Sequence, residues 1–420
     1  MKKVVAATLA ATLSVLTLSG CGSDSSTVQG SAEGEAIRLE FYQQKSEVIE
    51  LYDDLIARFN EQNPDIVIEQ VAVPDAETAL RTRCSTNDVP DIITTYPMSQ
   101  MYQDMMRAGL LMDLSGEEVL NRVTEESLEL AQCDGKDYAI PTVMSAYGLY
   151  YNKDIFAANG IEMPEDLTYD QFLDILQKLK DAGVQPIVFR DKDAGGVRQE
   201  ADRVSGIINN DITQVFERVA KGETSLTKEP EIRMMAENML KIREYGQTDT
   251  MGTGEEQAVS DFINGKAAMF INGSWFVTEV LKDNADLNVE MVPYPNPAGG
   301  TSKIPVSIDL AYSISASLNE QEKEAALRFI DFMTSPEIAQ EFADREGSPT
   351  TVVDVTCKAP QLKRVSEMIA NGEYFACPSN LVPAGMFEAW QPYLQELIIQ
   401  KDIDSFLTQT DSLFTEYYNK

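Results

Sequence analysis

This chain must do any chemistry it has without histidine, of which its 420 residues contain none. That removes Ser-His-Asp triads, His-bearing zinc sites and most general-base chemistry near neutral pH. Carboxylates are plentiful, with 68 acids against 34 lysines and arginines. Their number leaves room for the paired acids of glycoside cleavage, yet no segment singles out a pair. The stretch "DKDAGGVRQEAD", 191 to 202, approaches a calcium loop through Asp191, Asp193 and Gly196. Its fifth position is Gly195 rather than an oxygen donor and its last is Asp202 rather than Glu, so no metal is expected, and no cofactor either. The sharpest feature is non-catalytic: "FINGKAAMFINGSWFVTEV" carries Trp275 on a turn after a short apolar run. Either the indole is ordinary core, or the turn aims an aromatic face into a cleft, where it would pack on the C–H face of a sugar ring.

The net charge of −34 repels phosphate backbones and anionic headgroups, so nucleic acid is not an expected partner. Lys2 and Lys3 precede an apolar stretch that ends "LSGC". This resembles a bacterial lipoprotein signal, which implies cleavage after residue 20, lipidation of Cys21 and attachment to the membrane through that anchor. The alternative is an uncleaved span, since the stretch is near the minimum of about 18 residues. Residues 21–35 are small and polar and read as a flexible tether. Outside the membrane Cys84, Cys133, Cys357 and Cys377 are either disulfide-bonded, with Cys357–Cys377 the favoured pair, or buried thiols.

The elements that must position Trp275 alternate strand and helix. "AIRLEFYQQ" reads as a strand, "SEVIELYDDLIARFNEQNP" as a helix with Ser46 as its N-cap and Pro64 as its stop, and "DIVIEQVAV" as a second strand. This β-α-β opening points to a parallel sheet. "VPDIITTY", "DYAIPTV" and "VQPIVFR" read as further strands, and "LTYDQFLDILQKLKDAG" as a helix with a Thr168–Gln171 capping box. Ser335-Pro336 separates two later helices, and the Pro- and Gly-rich stretch 293–305 is a candidate crossing between lobes.

Taken in order, "ARFNEQNPDIVIE", "VPDIITTY" with "AGLLMDL", "DGKDYAIPTVMSAYGLYYNKDIF", "FINGKAAMFINGSW" and "ALRFIDFMTSPEIAQEF" resemble the extracellular solute-binding proteins of bacterial ABC importers. The likeness is to their carbohydrate-binding group, which includes maltose- and multiple-sugar-binding lipoproteins. It implies an α/β, two-lobe periplasmic-binding-protein-like fold with a hinge and an interlobe ligand cleft. The lobes are expected at 36–143 plus 304–347 and at 144–303 plus 348–420. By the same likeness Trp275 and Trp390 are sugar-stacking aromatics. Gln43, Gln44 and Lys45 hold hydroxyls, Tyr96, Ser145 and Tyr147 lie at the cleft edge, and Arg198 sits in a cleft loop. Asp309, at the mouth of "SIDLAYSIS", either takes sugar hydroxyls or caps a turn. Met98 and Ser145 stand where the maltose type has acids, which argues against maltose itself.

The implied function is that of a monomeric, non-enzymatic, lipid-anchored receptor on the outer face of the cell membrane. It captures a carbohydrate, such as an oligosaccharide, closes by hinge bending and delivers it to the permease subunits of an ABC transporter. The alternatives are a receptor for another small solute, such as a polyamine or a metal chelate, and a lipid-anchored glycosidase.

Overall fold

The computed structural model describes residues 36–45, 48–277, 284, 286–383 and 385–420. The expected signal segment 1–20, Cys21, the tether 21–35 and the expected N-cap Ser46 lie outside the described residues. No helix among the described residues is long and apolar enough to cross a membrane.

Nine strands are described: β1 (Ile37–Tyr42), β2 (Ile66–Val71), β3 (Ile92–Thr95), β4 (Ile140–Asn152), β5 (Gln185–Val188), β6 (Ala267–Gly273), β7 (Val289–Val292), β8 (Ile304–Ile314) and β9 (Tyr374–Ala376). They join in the order β2-β1-β3-β8-β4-β6-β5, with β7 also on β4 and β9 also on β8. The opening β-α-β unit is present, and β1 pairs parallel with both β2 and β3. The rest mixes directions: β5 pairs parallel with β6 and β9 with β8, whereas β8 runs antiparallel to β3 and β4, and β4 antiparallel to β6 and β7. A strand that serves two halves of a sheet must be long, and β4 has 13 residues. Its first half, through Ala146, pairs with β8, and from Tyr147 onward it pairs with β6 and β7.

Local sequence explains the helices that flank the sheet. The helix Ile49–Gln62 buries Leu51, Tyr52, Leu55, Ile56 and Phe59 on one stripe. Thr168 and Gln171 form the expected capping box at the start of Tyr169–Asp181. Pro336 opens the helix Pro336–Glu346, and Gly347 ends it in the left-handed region at φ 77°, where a side chain would be strained.

Alternation along the strands sorts the core. Phe41, Ile92, Val143, Leu310 and Tyr312 belong to one apolar cluster, while Tyr147, Leu149, Met269 and Ile271 belong to a second. Their sequence neighbours Tyr42, Ile93, Met144, Tyr150, Phe270 and Ala311 point the other way, into a third cluster. One face of the sheet therefore carries a single core that passes through the joint. The other carries two cores with a gap between them.

The expected lobe boundary at 143/144 falls inside β4, three residues before the change of pairing. Residues 348–352, expected in the second lobe, stay with the first core. Val352 packs there, and Thr351 Oγ1 donates to the Pro141 carbonyl at 2.6 Å. The favoured Cys357–Cys377 disulfide is absent. Cys84, Cys133, Cys357 and Cys377 are all free, and all but the half-buried Cys84 are buried. Within the calcium-like stretch, Ala194–Ile208 is helical, and the acids of the stretch have separate partners. Asp193 caps that helix, Asp191 binds Arg243, and Asp202 faces Ser379.

Candidate functional site

The gap between the two cores is where one sheet face turns polar. On β4 the face that carries Val143 and Tyr147 shows Ser145 between them, and its register partner on β8 is Ser307. Two residues along β8 the ladder is irregular. Val143 stands opposite Leu310 and Met144 opposite Ile308, so Asp309 is left without a partner across the strand. A bulge of this kind re-aims the side chain it frees. The Asp309 carboxylate, with 24% of the side chain exposed, takes a hydrogen bond from Lys45 Nζ at 2.7 Å.

Lys45 comes from the loop after β1. It is 6% exposed, and its ammonium is shared between Asp309 and Glu346 at the end of the helix Pro336–Glu346. Burial opposes the charge on Lys45, but the carboxylates of Glu346 and Asp309 outweigh it and hold the amine far above the ordinary lysine range. Lys45 thus binds both carboxylates at once. Gln43 is 1% exposed, and its Oε1 accepts from the Lys45 amide at 2.7 Å. Gln44 is half-buried, and its amide donates to the Thr94 carbonyl and to the Tyr102 hydroxyl. The half-buried Tyr96 meets Tyr102 edge-on at 6.1 Å.

From the second half of the sheet comes Trp275. β6 does not end at the Asn-Gly pair, since Asn272 and Gly273 are both paired strand residues opposite Gly148 and Tyr147. The turn begins at Ser274, which is tied to Ala146 in both directions: its amide donates to the Ala146 carbonyl at 2.8 Å, and its Oγ accepts from the Ala146 amide at 3.1 Å. Trp275 is half-buried, and its ring lies over Gly273, where a Cβ would stand 2.0 Å from Cζ3. Gly273 is therefore a seat for the indole rather than turn chemistry.

Beneath this level Tyr147 is 2% exposed, which corrects its expected place at the cleft edge. The Arg203 guanidinium covers its ring at 5.3 Å, and burial pushes the phenol well above its usual range. Arg203 is bound to Asp202 at 2.7 Å, and Asp202 accepts from the Ser379 amide and hydroxyl at 2.9 and 2.6 Å. The next residue, Asn380, donates to Ser307 Oγ at 2.6 Å. Arg198, one turn earlier on the same helix, is half-buried and lies 3.9 Å from Glu388.

Trp390 does not join the site. It is fully buried, its Nε1 donates to Thr410 Oγ1 at 2.9 Å, and Phe387, Phe406 and Phe414 surround it. With its one donor satisfied and its faces covered it is a core residue, which corrects the stacking expectation. Sequence reasoning missed Ser307, Asn380, Arg203 and Glu346. Their relevance arises from register and from contacts across up to 301 residues, as between Lys45 and Glu346. Elsewhere, a groove of 640 Å³ beside Tyr151, Glu290 and Arg364 is of ligand size, and some of the polar groups around it have protein partners. Tyr151 and Lys153 bind Glu290, and Arg364 donates to the Pro164 carbonyl.

Two apolar cores on one sheet face, separated by a polar gap with an aromatic at its edge, define a two-lobe binding protein. The chain belongs to the family of bacterial extracellular solute-binding proteins, which it matches over residues 45–340. It is 27% identical to the multiple sugar-binding protein of Streptococcus mutans over 325 residues, 76% of each chain. It is 24% identical to the melibiose/raffinose/stachyose-binding protein MelE of Bacillus subtilis, covering 82% of this chain and 80% of that one. Among solved structures, the apo form of RafE from Streptococcus pneumoniae matches with a TM-score of 0.82 at 24% identity, over 92% of this chain and all of that one. RafE in complex with raffinose matches with a TM-score of 0.77 at 26% identity, over 91% of this chain and all of that one.

Proposed function

We propose that this protein is a lipid-anchored receptor that captures a neutral saccharide between its lobes and delivers it to the permease of an ABC importer. The observation that carries this reading is Trp275, a half-buried indole seated on Gly273 beside a polar gap that contains Ser145, Ser307 and Asp309. A pyranose needs such a combination, an aromatic face for its C–H surface and a few oriented polar groups for its hydroxyls. Trp275, Asp309, Ser145, Gln44, Tyr96 and Arg198 are the contacts we assign, while Lys45, Gln43 and Tyr147 support them from below. The relatives named for multiple sugars and for melibiose, raffinose and stachyose support an oligosaccharide.

A thermal-shift screen of the tether-free protein against mono- and oligosaccharides tests the reading directly. A ligand at a hundred times its Kd stabilises the folded state by about 2.7 kcal/mol. A flat response across raffinose, stachyose, melibiose and maltose would sink the assignment. For a saccharide that does bind, closure of the lobes predicts a smaller radius of gyration in solution scattering. Superposable curves with and without saturating ligand would exclude the hinge.

Anchoring is proposed from "LSGC" after an apolar stretch. Cys21→Ala is expected to leave the precursor without acyl label and to release or misprocess it. Unchanged acyl labelling and membrane retention would refute the anchor.

A further inference from the structure

We propose that Lys45 and Glu346 act as a buried positioning pair that holds the Asp309 carboxylate, freed by the bulge in β8, at the angle from which it accepts a ligand hydroxyl. The inference rests on the saccharide reading above. Three observations combine. Asp309 is the one member of the triad with a substantial exposed fraction, 24% of its side chain against 7% for Lys45 and 3% for Glu346. One ammonium touches both carboxylates, so the two acids flank it. The loop that carries Lys45 is itself pinned, its amide donating to Gln43 Oε1 at 2.7 Å.

Charge explains why two acids share this cation. Adjacent carboxylates in a poorly solvated place repel, and without a cation they hold a proton in common. Lys45, bound to both acids, offsets their repulsion and fixes their separation. Among the described residues, the other titratable groups that act on the triad are the phenols of Tyr52 and Tyr312 and the buried thiol of Cys357, which burial pushes up. Tyr52 and Tyr312 share a hydrogen bond at 3.0 Å and are held above the ordinary phenol range by burial, so neither changes charge near neutral pH. Glu346 is followed by Gly347, where an added Cβ would lie 3.4 Å from Val277, two residues beyond Trp275. The residue after Glu346 therefore lies close to the segment that follows the indole.

The test is the pH profile of raffinose binding by titration calorimetry, from about pH 5.5 to 8, in the wild type, Lys45→Met, Glu346→Gln and the double variant. Wild-type affinity is expected to be flat. In Lys45→Met the affinity should fall by about tenfold or more as pH rises, because the shared proton is lost and the two carboxylates push apart. The double variant has one acid left and nothing to repel it, so its profile should be flat again and its affinity partly restored. Glu346→Gln alone should weaken binding without a pH dependence.

A Lys45→Met defect equal at every pH and not relieved by Glu346→Gln would overturn the proposal in favour of direct contact between Lys45 and ligand. Unchanged affinity in all variants would overturn it too. If Lys45→Met does not fold, a double variant that folds and binds with a flat profile supports the pairing, and one that folds but does not bind refutes it. A wild type that binds none of raffinose, stachyose or maltose overturns the saccharide reading, and the role of Asp309 with it. Ligand-free unfolding distinguishes that failure from failure of the pairing, since Lys45→Met should then still lose stability as pH rises and the double variant should not.

Discussion

Trp275→Ala is expected to weaken saccharide binding about ten-fold or more and to leave unfolding nearly unchanged, whereas Trp390→Ala should do the reverse. The first removes an indole that is only half-buried and rests on Gly273. An aromatic contact of this kind contributes on the order of 1 kcal/mol beyond its buried area, and about 1.4 kcal/mol is a factor of ten in affinity. The second empties a site where the ring is stacked on Phe406 at 5.9 Å and edge-on to Phe387 and Phe414 at 5.2 and 5.1 Å. It also strands the Thr410 hydroxyl. Large-to-small changes at such positions cost about 3–5 kcal/mol. Denaturant unfolding and calorimetry on both variants check the pair. Loss of stability on that scale in Trp275→Ala, with affinity intact in the folded fraction, would make Trp275 a core residue and remove the basis of the saccharide reading.

Arg243→Met should be as damaging as Trp390→Ala, for an electrostatic reason. Arg243 binds Asp191 through Nε and Nη2 at 2.8 and 2.7 Å, and Glu200 through Nη1 and Nη2 at 3.0 and 2.8 Å, with all three side chains buried. Removal of the cation leaves two carboxylates in a place with little solvent, and a broken buried pair costs about 3–5 kcal/mol. The pH dependence has a definite sign. Burial raises the Glu200 carboxyl although Arg243 pulls it down, so the folded chain takes up that proton more readily than the unfolded one. Stability from this site therefore falls as pH rises through the window between the unfolded and folded values. Without Arg243 the folded value rises further. The deficit of the variant, measured by denaturant unfolding, should then be smaller near pH 5 than near pH 7.5. A deficit independent of pH would show that lost packing on Phe189, which the guanidinium covers at 4.6 Å, is the larger part.

What the sequence made legible follows the range of the interactions. The Thr168–Gln171 capping box, Pro336 at the start of its helix and the β-α-β opening depend on a few neighbouring residues, and each was readable. β4 was read as the short run "DYAIPTV" because its second half, "SAYGLYYN", gets its partners from residues more than a hundred positions away. Asp309 stood out only as an acid at the mouth of a strand. The bulge that frees it is a mismatch between two strands, and no single strand encodes it. Trp390 shows the opposite limit. A tryptophan on an amphipathic helix looks the same whether three phenylalanines surround it or a ligand does. The glycine at 273 makes room for a ring, and nothing in its own sequence distinguishes that from a glycine that makes a turn.

The place of β8 governs the order in which this chain is able to fold. β8 lies between β3 and β4, yet its residues, 304–314, follow β4 by about 150 positions. A chain that has emerged only as far as residue 300 has both flanks of the sheet and no centre. Ile140 has no Tyr312 to pair with, and β3 presents an open edge. Contacts that distant in sequence form slowly, since a long loop must close before they repay its entropy. The centre of the sheet therefore cannot form until the last third of the chain is available.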